Sequence, residues 1–118
     1  MAKKILIVDD NPNMSALLSE MLEVFDQEAV VASDGFQALD ALKSGNFSIV
    51  ITDMRMPKMT GLELLQQVKE NHPKVKVVLI SGYSGSEIET QAEALKADGF
   101  LGKPLMMADI EKLLKELL

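Results

Sequence analysis

The stretch Lys4-Ile5-Leu6-Ile7-Val8-Asp9-Asp10-Asn11-Pro12 decides how the rest of the chain is read. Four apolar residues run on without polar alternation, the pattern of a strand buried on both faces, and the run stops in two carboxylates. Asn11 before Pro12 then reads as a helix cap with proline in the first turn. Met14, Leu17, Leu18, Met21, Leu22 and Phe25 follow at the spacing of one face of a three-turn helix. A buried strand, an acidic turn and an amphipathic helix make one βα unit.

Four more units follow. A strand near Glu28 to Ala32 precedes a helix from about Gly35 to Leu42, closed by Lys43-Ser44-Gly45-Asn46 with glycine at the exit. Phe47 to Thr52 forms the third strand and ends at Asp53. A loop through Pro57 and Gly61 enters a helix carrying Leu62, Leu65 and Val68, which Asn71-His72-Pro73 stops. Val75 to Ile80 is the fourth strand, followed by Ser81-Gly82. The fourth helical pattern, about Ser86 to Ala97, has the thinnest apolar row, Ile88, Ala92 and Leu95. A short fifth strand, Gly99 to Leu101, meets Gly102-Lys103-Pro104, and the last helix carries Met106, Ile110, Leu113, Leu114 and Leu117 on one face. Five such units with short linkers predict an α/β fold, a doubly wound five-stranded parallel sheet flanked by five helices. Residues 1–118 are expected to form one domain, with no repeat and no tail.

Composition removes several classes of function. The chain carries 18 Asp+Glu against 12 Lys+Arg, a net charge of -6, and Arg55 is the one arginine. Nothing in it forms a basic stripe for a phosphate backbone, so direct nucleic-acid binding is not expected. Without cysteine there is neither a disulfide nor a thiolate metal site, and a single histidine does not build a zinc site. The apolar run Ile5 to Val8 is too short for a signal peptide or a membrane span, which predicts a cytoplasmic protein with no membrane partner. Chemistry is left to carboxylates, hydroxyls and lysines.

In a doubly wound sheet, ligands bind outside the carboxyl ends of the strands. Strand one ends in Asp9-Asp10, strand three in Asp53 and strand four in Ser81, and Lys103 follows strand five. Three carboxylates gathered at one edge repel one another, and an oxygen-liking divalent cation relieves that. Mg²⁺ suits the set, because it takes one or two protein carboxylates, keeps waters and accepts phosphate oxygens. The lysine across the pocket calls for a second, anionic occupant. A phosphoryl group fits between cation and lysine, with the Ser81 hydroxyl on a further oxygen, and a carboxylate there can act as nucleophile to form an aspartyl phosphate.

Asp9-Asp10, the loop Asp53-Met-Arg-Met-Pro-Lys-Met-Thr-Gly61, Ser81-Gly82 and Lys103-Pro104 together resemble the receiver domain of two-component response regulators, over essentially the whole chain and in order. The resemblance implies a flavodoxin-like fold of receiver type. It makes Asp53 the phosphoacceptor, Asp10 a direct Mg²⁺ ligand and Asp9 a ligand mostly through water. Arg55 would contribute its backbone carbonyl to the metal, so its side chain can vary. Lys103 would pair with the phosphoryl group, and Lys103-Pro104 would be a cis peptide, which proline tolerates. Ser81 stands where threonine is frequent in the family, and Phe100 where tyrosine is frequent. Ser81 and Phe100 would form the switch, the ring moving inward as the hydroxyl residue engages the phosphoryl group. A phenylalanine packs in that way without offering a phenolic hydrogen bond. With no polar anchor outside, its inward position would be favoured even without phosphate.

Plainer roles exist for each residue. Asp9-Asp10 could serve as a helix cap, Asp53 as a loop acid, Ser81-Gly82 as a tight turn and Lys103 as a solvated lysine; convergence at one sheet edge is what favours the site. His72 belongs to a helix stop remote from that edge. Most of the eight methionines fall on core stripes or in the loop after Asp53, where packing accounts for them. The resemblance implies a signalling switch phosphorylated by a histidine kinase or phosphotransfer protein, altering the surface around the fourth helix, fifth strand and last helix for a downstream protein or output domain. The competing reading is a Mg²⁺-dependent phosphohydrolase with an aspartyl-phosphate intermediate. That reading lacks a lid and a second carboxylate two residues after Asp53, where Arg55 stands.

Overall fold

Strands and helices alternate along the chain: β1 (Lys4–Val8), α1 (Pro12–Val24), β2 (Glu28–Ala32), α2 (Gly35–Leu42), β3 (Phe47–Asp53), α3 (Gly61–Asn71), β4 (Lys76–Ser81), β5 (Gly99–Gly102) and a C-terminal helix (Met107–Leu117). The computed structural model describes residues 4–81 and 97–118, Ser81 by its backbone alone. The described residues carry four of the five expected helices. The expected helix from about Ser86 to Ala97 falls almost wholly on residues 82–96, outside the described residues.

All strand pairs are parallel, in the order β2-β1-β3-β4-β5. The order reverses between β1 and β3, which places the crevice of a doubly wound sheet at their carboxyl ends. Residues alternate between two faces, and both faces are covered. Leu6, Val8, Val50, Val77 and Leu79 pack with Ala38 and Leu42 of α2 and Leu64, Leu65 and Val68 of α3. Ile5, Ile7, Ile49, Ile51, Val78 and Ile80 pack with Leu18, Met21 and Leu22 of α1 and Ile110, Leu113 and Leu114 of the C-terminal helix. The unbroken apolar runs in β1, β3 and β4 follow from this: no strand face there meets water.

Among the described residues, two from the expected core stripes lie elsewhere. Leu17 is 45% exposed, whereas Ser15 is buried. The face of α1 that meets the sheet is centred on Leu18 and Leu22, and Ser15 lies one turn before Leu18 on that face. Its hydroxyl donates to the Pro12 carbonyl at 3.2 Å, which satisfies it in place. Met106 is 56% exposed and extended, the residue before the first turn of the C-terminal helix rather than part of its buried face. Met21, Met54, Met56 and Met59 are buried, as packing requires, and Met107 is exposed.

Candidate functional site

Strand register brings the polar residues together. Val8 is paired with Thr52, Asp53 with Ile80 and Ser81 with Gly102, so Asp9, Asp53, Ser81 and Lys103 leave the sheet at the same edge. The hydroxyl of Ser81 lies outside the described residues. Carboxylate oxygens of Asp9, Asp10 and Asp53 all lie within 4.8 Å of one another.

Each carboxylate is aimed by its own loop. Asp9 Oδ1 accepts the Asn11 N–H at 2.9 Å, and Asn11 Oδ1 accepts those of Asn13 and Met14 at 3.0 and 3.4 Å, capping α1. The cap role considered for the acidic pair thus falls mainly to Asn11. Asp9 Oδ2 is buried with no hydrogen-bond partner. Asp53 Oδ1 accepts the Arg55 N–H at 3.4 Å, and Asp53 Oδ2 lies 3.5 Å from Lys103 Nζ. Behind it, the buried Thr52 hydroxyl donates to the Asp53 carbonyl at 3.0 Å. The Lys103–Pro104 peptide is cis.

The electrostatics are those of an under-neutralised acid cluster. Burial pushes the Asp9 carboxyl above its ordinary range, the Asn11 N–H pulls it down, and Asp53 and Asp10 push it up further while Lys103 opposes them. Among the described residues, the Lys103 ammonium 3.5 Å from Asp53 faces three carboxylates. The unpartnered Asp9 oxygen and the hard oxygen donor set fit a divalent cation of the Mg²⁺ kind.

Phe100 is half-buried and packs against the core cluster under α2 and α3. His72 caps the C-terminal end of α3, at the opposite edge of the sheet. Sequence reasoning did not single out Thr52, Asp34 or Lys58. Ser33-Asp34-Gly35 carried a cap signal, and Asp34 does cap α2 by accepting the Gln37 N–H at 2.8 Å. No local pattern announces that Asp34 also lies 3.5 Å from Lys58 Nζ, in the loop after Asp53.

Comparison with known proteins agrees with this geometry. Residues 5–115 match the family model described as response regulator receiver domain. The chain is 33% identical over 116 residues to the transcriptional regulatory protein ZraR of Klebsiella oxytoca, covering 97% of this chain and 26% of that protein. It is 30% identical over 118 residues to sporulation initiation phosphotransferase F of Bacillus subtilis, covering 100% of this chain and 95% of that one. The solved structure of Vibrio cholerae chemotaxis protein CheY4 superposes with a TM-score of 0.93 at 28% identity, with both chains fully covered. The chain spans about a quarter of the length of ZraR and nearly all of phosphotransferase F. These matches favour a signalling switch over a phosphohydrolase.

Proposed function

The chain belongs to the response regulator receiver family, and from that premise we propose that Asp53 accepts a phosphoryl group from the phosphohistidine of a partner kinase or phosphotransfer protein. The observation that carries this reading is Asp53 itself: a nearly buried carboxylate at a strand end, one oxygen facing Lys103 and its neighbours two further carboxylates. A carboxylate oxygen of Asp53 attacks phosphorus in line, the new O–P bond forms as the N–P bond of the donor breaks, and the imidazole leaves with the electron pair. Lys103 moves from Asp53 Oδ2 onto a phosphoryl oxygen, keeping a charge-assisted contact throughout. Asp9, Asp10, Asp53 and the Arg55 carbonyl would hold Mg²⁺, which would supply neutralisation of the phosphoryl oxygens.

Ser81, at the end of β4, supplies a hydroxyl to a third oxygen, and Phe100 repacks as that contact forms. Taking such a switch from mostly off to mostly on requires about 5 kcal/mol of differential stabilisation. The new bond from the Ser81 hydroxyl to a doubly charged group supplies roughly 1.5–3 kcal/mol of that, and Lys103 adds the difference between its phosphoryl contact and its present contact with Asp53. The consequence is a changed surface around β5 and the C-terminal helix, read by a downstream protein or an output domain. We place this single receiver, residues 1–118, in the cytoplasm, and assign it no catalytic turnover beyond its own phosphorylation and dephosphorylation. No helix among the described residues is long and apolar enough to cross a membrane.

Intact-mass measurement after incubation with phosphoramidate and Mg²⁺ tests the proposal. One phosphoryl adduct is expected, absent without Mg²⁺ and absent in Asp53→Asn. An adduct that persists in Asp53→Asn, or steady turnover of phosphate esters, overturns it.

A further inference from the structure

Three non-glycine residues among those described have positive φ: Asp26 at 60°, Asn46 at 78° and Lys58 at 71°. Aspartate and asparagine enter this region comparatively easily, because a short polar side chain bonds locally; lysine does not, and glycine is the residue the geometry favours. Lys58 therefore holds a strained conformation, and the structure shows what accompanies it. Its Nζ lies 3.5 Å from Asp34 Oδ2. The other oxygen of Asp34 accepts the Gln37 N–H at 2.8 Å, so the carboxylate is fixed to the first turn of α2 and only 12% of its side chain is exposed.

The neighbouring residue is held against the same turn. A Cβ on Gly35 would stand 2.6 Å from Met59 Sδ and 2.9 Å from Met59 Cβ, so α2 begins in direct contact with Met59. The Met59 N–H closes a tight turn onto the Pro57 carbonyl at 2.8 Å. Further back, the Gly61 N–H donates to the Met54 carbonyl at 3.0 Å and closes the loop on the residue after Asp53. The segment Asp53–Gly61, carrying both the nucleophile and the Arg55 carbonyl, is thus fastened at its base by its own backbone and at its tip by α2.

We propose that Asp34 is a positioning residue for the Asp53 reaction, acting through Lys58 to hold the tip of the Asp53–Gly61 loop against the first turn of α2. The inference rests on Asp53 being the phosphoacceptor. Positional errors of an ångström in a reacting group are expensive, and a loop tied only at its base has room for them. The strain at Lys58 marks the tie: a glycine would make the same turn without it but would remove the Lys58 ammonium from beside Asp34.

The test uses the full chain with Mg²⁺ and phosphoramidate, following the initial rate of adduct formation, the melting temperature, and hydrogen exchange at the Gly61 and Met59 amides. Asp34→Asn retains an oxygen for the Gln37 cap and removes only the charge. Its adduct rate is expected to fall about fivefold, with faster loop exchange and an almost unmoved melting temperature. Lys58→Met is expected to match it, the double variant to be no slower than either, and Lys58→Arg to restore the wild-type rate. Lys58→Gly loses rate while keeping stability. Unchanged rate and loop exchange in Asp34→Asn, or single effects that simply multiply in the double variant, overturn the positioning role. A wild type that forms no adduct overturns the phosphoacceptor reading, and with it the role of Asp34 in catalysis, whereas the exchange result alone decides whether the tie exists.

Discussion

The turn after β1 and the loop after β3 deliver carboxylates to the same pocket, but they are held by different means. Asp9, Asn11 and the amides of Asn13 and Met14 bond among themselves within six residues. The Asp53–Gly61 loop closes on its own base and then leans on α2, through Met59 against Gly35 and Lys58 beside Asp34. Apart from the Asp9 N–H, which donates to the Ala32 carbonyl of β2 at 3.1 Å, this turn is held by bonds local to the start of its helix. A loop held by another element acquires its shape only when the sheet and α2 are assembled. The fixed partner and the dependent one meet across the three clustered carboxylates.

The largest expected effect strikes the base of the dependent loop. A Cβ at Gly61 would lie 2.4 Å from the Asp53 carbonyl oxygen and 2.9 Å from Met54 Cα, both backbone atoms that have little room to yield. Gly61→Ala is expected to lower stability by about 2–3 kcal/mol and to slow phosphorylation as well, measured by urea unfolding and adduct formation. Gly35→Ala, which meets mainly a methionine side chain, should cost less; an equal or greater loss would mean that the tip matters more than the base.

A smaller effect of opposite sign is expected in the fixed turn. Asp9 is 3% exposed, and its carboxyl is raised above 3.8 by burial first, with Asp53 and Asp10 adding to it. The folded state therefore binds the Asp9 proton more tightly than the unfolded state does. The favourable contribution is full below the ordinary carboxylate pKa and is lost as pH rises through the raised value. In chelator, Asp9→Asn should stabilise the protein at pH 7, and the gain should vanish as pH falls below the ordinary carboxylate range. A gain independent of pH would show that charge is not its source. Added Mg²⁺ should stabilise the wild type and narrow the difference, since a cation bound only by the folded state contributes about 2.7 kcal/mol at a hundred times its Kd.

Local damage to the fixed turn is expected to stay local. Asn11→Ala removes the acceptor for the Asn13 and Met14 amides, at a cost of about 1 kcal/mol. Hydrogen exchange should quicken in the first turn of α1 and remain unchanged at Gly61. Faster exchange at both places would break the distinction between the two loops.

How far each loop was legible follows the same division. Asn11-Pro12 was readable as a cap because a cap is a property of adjacent residues, and the structure has it there. Asp9, Asp53 and Lys103 were placed together because apolar runs reveal where strands stop, and parallel strands that stop in register share an edge. The Leu17 reading failed for a corresponding reason: a 3.6-residue period supplies an apolar stripe, but the angle at which α1 meets the sheet chooses its centre, and Ser15 was taken in place of Leu17. Periodicity puts Met106 on the helix face because it does not locate the first turn, and the residue lies just before it.

The order of strands and helices, the apolar interior and the convergence of acids on one edge were therefore determined by the sequence itself, since each rests on spacing along the chain. Only the tertiary structure decided that Asp9 keeps one buried oxygen without a partner, that Gly35 admits Met59, and that Asp34 stands beside Lys58. Those contacts join residues more than twenty positions apart, and whether they meet depends on how α2 packs against the sheet, which no periodicity within either segment encodes.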